Sequence, residues 1–121
     1  MVSDAHLDTQ WNWDIQTTIK DYVWNTISQN LFLLKQYPEY IFNFEGAVKY
    51  AWMKEYYPAQ YEEMKKFIES GRWHISGASW DATDTLVPSI ESAIRNIMLG
   101  QDYYRKEFGV ESTDIFLPDC F

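Results

Sequence analysis

The sequence predicts an α/β fold in which strands alternate with helices around a parallel sheet. Apolar residues recur at helical spacing over long stretches. Between those stretches lie short runs rich in Ile, Phe and Trp, bounded by Gly or Pro. Helical sequence follows each short run, which is the pattern of βαβ crossovers and not of hairpins.

Each element has its own signals. The opening Met1–His6 reads as the end of a strand that begins upstream. Asn12 or Asp14 can cap a helix running towards Tyr37, whose inner face is Ile15, Ile19, Val23, Ile27, Leu31 and Leu34. Pro38 stops it. A second strand is expected at Ile41–Glu45, punctuated by Gly46, and helical sequence resumes at Ala47–Trp52. Pro58 suits the first turn of another helix. Its buried side is Tyr61, Met64, Phe67 and Ile68, and it closes at Gly71. A third strand, Trp73–Gly77, leads into a polar loop from Ser79 to Pro88. Ser89 opens a further helix with Ile94, Ile97, Met98, Tyr104 and Phe108 turned inward, and Gly109 ends it. A fourth strand is expected at Ile115–Leu117, before Pro118-Asp119-Cys120-Phe121. Four strands, the first and last cut at a terminus, suit half a barrel better than a closed domain.

Composition narrows the function. Hydrophobic residues are 46% of the 121, and aromatics 18%, which is too apolar for a disordered chain. The net charge of −8 and the scattered Lys and Arg argue against nucleic acid, anionic membrane or polyphosphate partners. A single cysteine, Cys120, excludes an internal disulfide. These residues hold no apolar run of transmembrane length and no signal-peptide pattern, which leaves the compartment open.

In parallel α/β architectures, functional groups collect on the loops after the strands. His6 and Asp8 stand two residues apart at the end of the first strand, a spacing that puts both side chains on one side of extended backbone. Asp119 follows the last expected strand and can converge on the same point. One imidazole nitrogen with two carboxylates is a donor set suited to zinc with open positions. On its own the His-x-Asp pair also reads as helix-start capping. His74 is expected to be a packed, hydrogen-bonded strand residue, and Asp14, Asp81, Asp84 and Asp102 to be solvated loop or helix-start acids. Glu62, Glu63, Lys65 and Lys66 read as an exposed helix face.

Four blocks together resemble glycoside hydrolase family 38, the retaining α-mannosidases. Asp4-Ala5-His6-Leu7-Asp8-Thr9-Gln10-Trp11 is similar to the family's zinc-binding opening motif. Ser79–Asp84, continuing through Pro88–Ser92, resembles its Trp-rich loop and following helix. Gly100–Gly109 matches the helix end before the nucleophile segment, and Leu117–Phe121 resembles that segment. Asp4, Leu86 and Ile90 depart from the commoner family residues.

The resemblance implies a fold, a cofactor and roles. The fold is the first part of a seven-stranded β/α barrel, with residues 1–121 the N-terminal portion of the catalytic domain, incomplete at both ends. His6, Asp8 and Asp119 would bind Zn2+, and Asp119 would also be the nucleophile. Trp11 would form a wall under the sugar, with Phe121 beside it. The substrate would be a mannose-containing glycan, and the other partner the remainder of the same polypeptide. The acid/base carboxylate and a last zinc ligand would come later than Phe121, so this stretch alone would be inactive. Two other readings compete. One is a non-catalytic sugar- or metal-binding remnant of the fold. The other is a metal-dependent polysaccharide deacetylase, whose paired Asp opening and His-x-x-x-His motif are missing here.

Overall fold

A computed structural model describes residues 2–120. Within them the chain is an α/β assembly with three parallel strands in the order β1-β2-β3. These are β1 (Val2–Ala5), β2 (Ile41–Glu45) and β3 (Trp73–Ser76). Helices α1 (Ile15–Thr17) and α2 (Trp24–Gln36), joined by a π-helical stretch Thr18–Val23, connect β1 to β2. Helices α3 (Ala47–Tyr56) and α4 (Pro58–Glu69) connect β2 to β3, and α5 (Ile90–Phe108) follows.

Asp14 caps the first helix, its Oδ1 accepting from Thr17 N at 2.8 Å. That backbone hydrogen bond holds the Asp14 carboxyl below its ordinary range. Pro58 occupies the first turn of α4, and Ser89 caps α5 by accepting from Ser92 N. Gly109 closes α5 at φ +68°, a left-handed backbone that glycine adopts without a Cβ clash.

Strand register sorts the side chains into two faces. Ser3, Phe42 and Trp73 align across the sheet, as do Ala5, Phe44 and Ile75. That face packs under the helices, where Phe42, Phe44 and Trp73 meet Tyr50, Tyr61 and Tyr104. Each such side chain stabilises the fold by roughly 1.5–3 kcal/mol on burial. Two polar tips are satisfied within the cluster: Trp73 Nε1 donates to Tyr50 Oη at 3.0 Å, and Tyr50 Oη donates to Phe44 O at 2.8 Å, whereas the buried Tyr104 hydroxyl has no protein partner. The opposite face carries Asp4, Asn43 and His74, and no described helix covers it.

The expected fourth strand is absent among the described residues. Phe116 lies beside Gly77 at the end of β3, but Ile115–Leu117 joins no ladder. Side chains take the ladder's place. Asp114 Oδ2 accepts from Ser76 Oγ at 3.0 Å and Gly77 N at 3.4 Å, and Ser112 Oγ donates to Asp114 Oδ1.

Helix α5 corrects a second expectation. Ile94 and Met98 face outward, with Ile90 and Leu99, along an open apolar strip. Tyr104 is buried as expected, and Gly100 is buried with it. The sequence carries two apolar rows on this helix, and periodicity alone cannot say which is inside. The choice is made by Asn96, whose side chain accepts from Asp81 N and donates to Asp81 O, and by Gly100, which packs onto the Ala78–Ser79 backbone. His74 is likewise not packed; its side chain is 54% exposed and stands 3.6 Å from Asp114.

Glu107 ties α5 to the core, accepting from Lys54 Nζ at 2.7 Å and Tyr61 Oη at 3.0 Å. The Lys54 hydrogen bond holds its carboxyl below the ordinary range. A lowered folded-state value stabilises above the unfolded value, and that stability is lost as pH falls through the folded one. Glu107→Gln is therefore expected to lower the melting temperature slightly at neutral pH, by the few tenths to about 1 kcal/mol of a partly exposed pair. The difference should shrink as pH falls below the unfolded value and vanish once pH lies below the lowered folded one. Melting curves at pH 3 and pH 7 check this, and an equal deficit at both would contradict it.

Candidate metal centre

The site forms where β1 and β2 end. Continuing the β1–β2 register one residue past Ala5↔Phe44 brings His6 beside Glu45 on the uncovered face. Leu7 turns inward and is buried, so His6 and Asp8 are left together on the other side. His6 Nε2 lies 3.3 Å from Asp8 Oδ1, and His6 Nδ1 lies 4.0 Å from Glu45 Oε1. The imidazole thus stands between one half-exposed carboxylate and one buried carboxylate.

Asp119 arrives from the far end of the chain on a turn with Pro118. Ligand atoms of His6, Asp8 and Asp119 all lie within 4.8 Å of one another. Cys120 helps hold that turn, its thiol donating to Thr83 O at 3.1 Å. Thr83 Oγ1 in turn accepts from Asn96 Nδ2 of α5 at 3.3 Å. The three side chains open into a shallow cavity of about 200 Å3, walled on the other side by Ala82, Thr83 and Asp84.

The donor set fits a divalent metal. An imidazole with two carboxylates, in a cluster that still faces solvent, offers mixed N/O ligation with room for further ligands. Trp11 stands apart from this cavity. It is 70% exposed and edge-on to Trp13, with ring centroids 6.1 Å apart. Phe121 lies outside the described residues.

Several other acids take ordinary roles. Asp84 accepts from Leu86 N at 2.7 Å in a local turn, and Asp102 pairs with Lys106 four residues on. Glu62, Glu63, Lys65 and Lys66 lie at or near the surface of α4, with Glu63 paired to Lys35 at 2.6 Å. Asp81 is the exception. Expected as a solvated loop acid, it accepts from Thr9 Oγ1 at 2.7 Å and lies 3.4 Å from Lys49 Nζ. Lys49 is fully buried and donates to buried Glu45 at 2.8 Å. The available signal was Glu45 at the carboxyl end of β2 with Lys49 four residues later, but such a pair is usual on exposed helix faces.

Comparison with known proteins bears on the family. The profile of the glycosyl hydrolases family 38 N-terminal domain matches residues 1–121. Alpha-mannosidase G of Dictyostelium discoideum is 36% identical over 120 residues, covering 99% of this chain and 11% of that protein. Alpha-mannosidase 2C1 of Homo sapiens is 32% identical over 119 residues, covering 97% and 11%. The chain thus spans about a tenth of the length of the curated relatives it matches. Among solved structures, a 4-alpha-glucanotransferase from Thermococcus litoralis superposes with a TM-score of 0.71 over 96% of this chain and 18% of its own, at 18% identity, a likeness of fold alone. A family profile matched from end to end, and α-mannosidases related over nearly all of its residues, establish that the chain belongs to glycoside hydrolase family 38.

Proposed function

We propose that this chain is the N-terminal portion of the catalytic barrel of a zinc-dependent retaining α-mannosidase, carrying its nucleophile and most of its metal ligands. The observation that carries the reading is the convergence of His6, Asp8 and Asp119 at the carboxyl end of a parallel sheet. The uncovered face bearing Asp4, Asn43 and His74 supports the barrel, because such a face lines the interior once further strands close around it.

His6, Asp8 and Asp119 would hold the zinc. Bound there, the metal would supply a Lewis-acid anchor for vicinal hydroxyls of a terminal mannose. Asp119 is the nucleophile: one carboxylate oxygen bonds to the anomeric carbon as the bond to the leaving oxygen breaks, and water later releases the sugar. The second carboxyl that retaining chemistry requires, which protonates the leaving oxygen, is assigned to chain beyond these residues. Trp11, exposed and outside the cavity lining, is the proposed wall under the sugar ring, and Phe121 its neighbour. The substrate class is a glycan ending in α-linked mannose.

Zinc titration of the metal-free chain tests the metal assignment. One Zn2+ per chain is expected, reversible by chelator and preferred over Mg2+ and Ca2+ because of the imidazole. His6→Ala should weaken binding by about 100-fold or more, well above the 10–100-fold typical of outer-shell losses. Failure to bind zinc, or binding indifferent to His6→Ala, would remove the basis of the reading.

A further inference from the structure

We propose that Thr9, Asp81, Lys49 and Glu45 form a partly buried positioning chain that fixes the loop bearing His6 and Asp8. This rests on the reading of those two residues as metal ligands. Thr9 directly follows Asp8 and is held from two sides. Its hydroxyl donates to Asp81 at 2.7 Å, and its carbonyl accepts from the hydroxyl of Thr18 at 2.8 Å. Thr18 is fully buried at the start of the π-helical stretch, and its hydroxyl also accepts from Trp13 Nε1 at 2.8 Å. Such irregular helical turns often mark functional segments.

From Asp81 the chain continues inward. Lys49, with none of its side chain exposed, bridges Asp81 and Glu45, and Glu45 faces the Nδ1 edge of His6. A buried ammonium needs partners of opposite charge, because leaving it unpaired costs several kcal/mol. Here one partner, Glu45, ends β2 beside His6 and the other, Asp81, belongs to the loop that flanks the cavity, so one cation ties the end of β2 to the loop that Thr9 also holds. Close packing reinforces it: a Cβ on Gly46 would come 2.8 Å from Lys49 Nζ. A metal-binding histidine that presents its second nitrogen to a carboxylate is oriented by it. Glu45, 4.0 Å from His6 Nδ1, acts on that edge by charge without a hydrogen bond, and Thr9 fixes the backbone next to Asp8.

Zinc affinity of the 121-residue chain, measured by competition with a chelating dye, tests the proposal. Thr9→Val keeps the side-chain shape and removes the hydroxyl; affinity should fall about 10-fold or more, whereas Thr9→Ser should stay within about twofold of wild type. Glu45→Gln should show a loss comparable to Thr9→Val. Melting in the presence of chelator separates positioning from general stability, and Thr9→Val should melt there as Thr9→Ser does. Equal zinc affinity for Thr9→Val and wild type would overturn the proposal. So would a loss matched by an equally lowered melting temperature without metal. A wild-type chain that binds no zinc would instead sink the functional reading beneath it.

Discussion

Asp119→Asn is expected to abolish both zinc binding by this domain and turnover by a family-length mannosidase that carries it. The side chain is assigned two tasks that an amide performs badly. Asparagine is a neutral, weak ligand in a site of one imidazole and two carboxylates. It is also a poor nucleophile towards an anomeric carbon, and loss of a nucleophile costs about 10^4-fold or more in rate. A plainer account makes Asp119 a turn residue after Pro118, its carboxylate serving only nearby backbone groups. Asparagine would then be nearly harmless, since its side-chain oxygen can accept the same bonds. The two accounts separate cleanly in steady-state rates with an aryl α-mannoside and in zinc titrations. Labelling with a mechanism-based fluoro-sugar adds the residue itself: the trapped sugar should sit on Asp119 in the parent and on no residue in the variant. Activity within about tenfold of the parent, equivalent to roughly 1.4 kcal/mol of barrier, would overturn the assignment.

The largest expected effect on folding comes from Gly100→Ala. In an exposed helix interior this change stabilises by about 0.8–1 kcal/mol, because alanine restricts the unfolded chain and favours helix. Position 100 is buried, and there the added methyl would run into the Ala78 carbonyl oxygen and the Ser79 carbonyl carbon, with the Ser79 oxygen at 2.6 Å. These are backbone atoms held by the Ala47 N–H to Ser79 bond at 3.1 Å and the Trp80 N–H to Asn96 bond at 2.8 Å, so neither side can give locally. Overpacking of this kind costs about 1–3 kcal/mol and sometimes more. A net loss of about 2 kcal/mol should lower the melting temperature by roughly 10 °C in a domain of this size. The shift would also carry Asp81–Asp84 away from His6, so zinc affinity should fall with stability. A variant that melts at or above the wild type would show that α5 can move off the Ala78–Ser79 backbone freely. That would remove the account given for its register.

Much of the architecture was legible because its signals are local. Asp14, Pro58, Ser89 and Gly109 act within a few residues, through a cap, a restricted φ or a missing Cβ. β2 and β3 were readable as short apolar runs between such signals. The fourth strand misled because Ile115–Leu117 has strand composition, whereas pairing depends on a partner edge, and here the segment meets the end of β3 only through the Asp114 side chain.

The sequence by itself determined the alternation of strands and helices, the His-x-Asp motif at the end of the first strand, and the motif order that relates this chain to the α-mannosidases. Tertiary structure alone decided which apolar row of α5 faces inward, that Cys120 braces the turn of Asp119 against Thr83, and that Asp81 pairs with a buried lysine. The physical reason is range. Capping and chain stiffness act over three or four residues, whereas Thr9 meets Asp81 across 72 positions and Lys49 meets Asp81 across 32, contacts that exist only once the sheet has set its register.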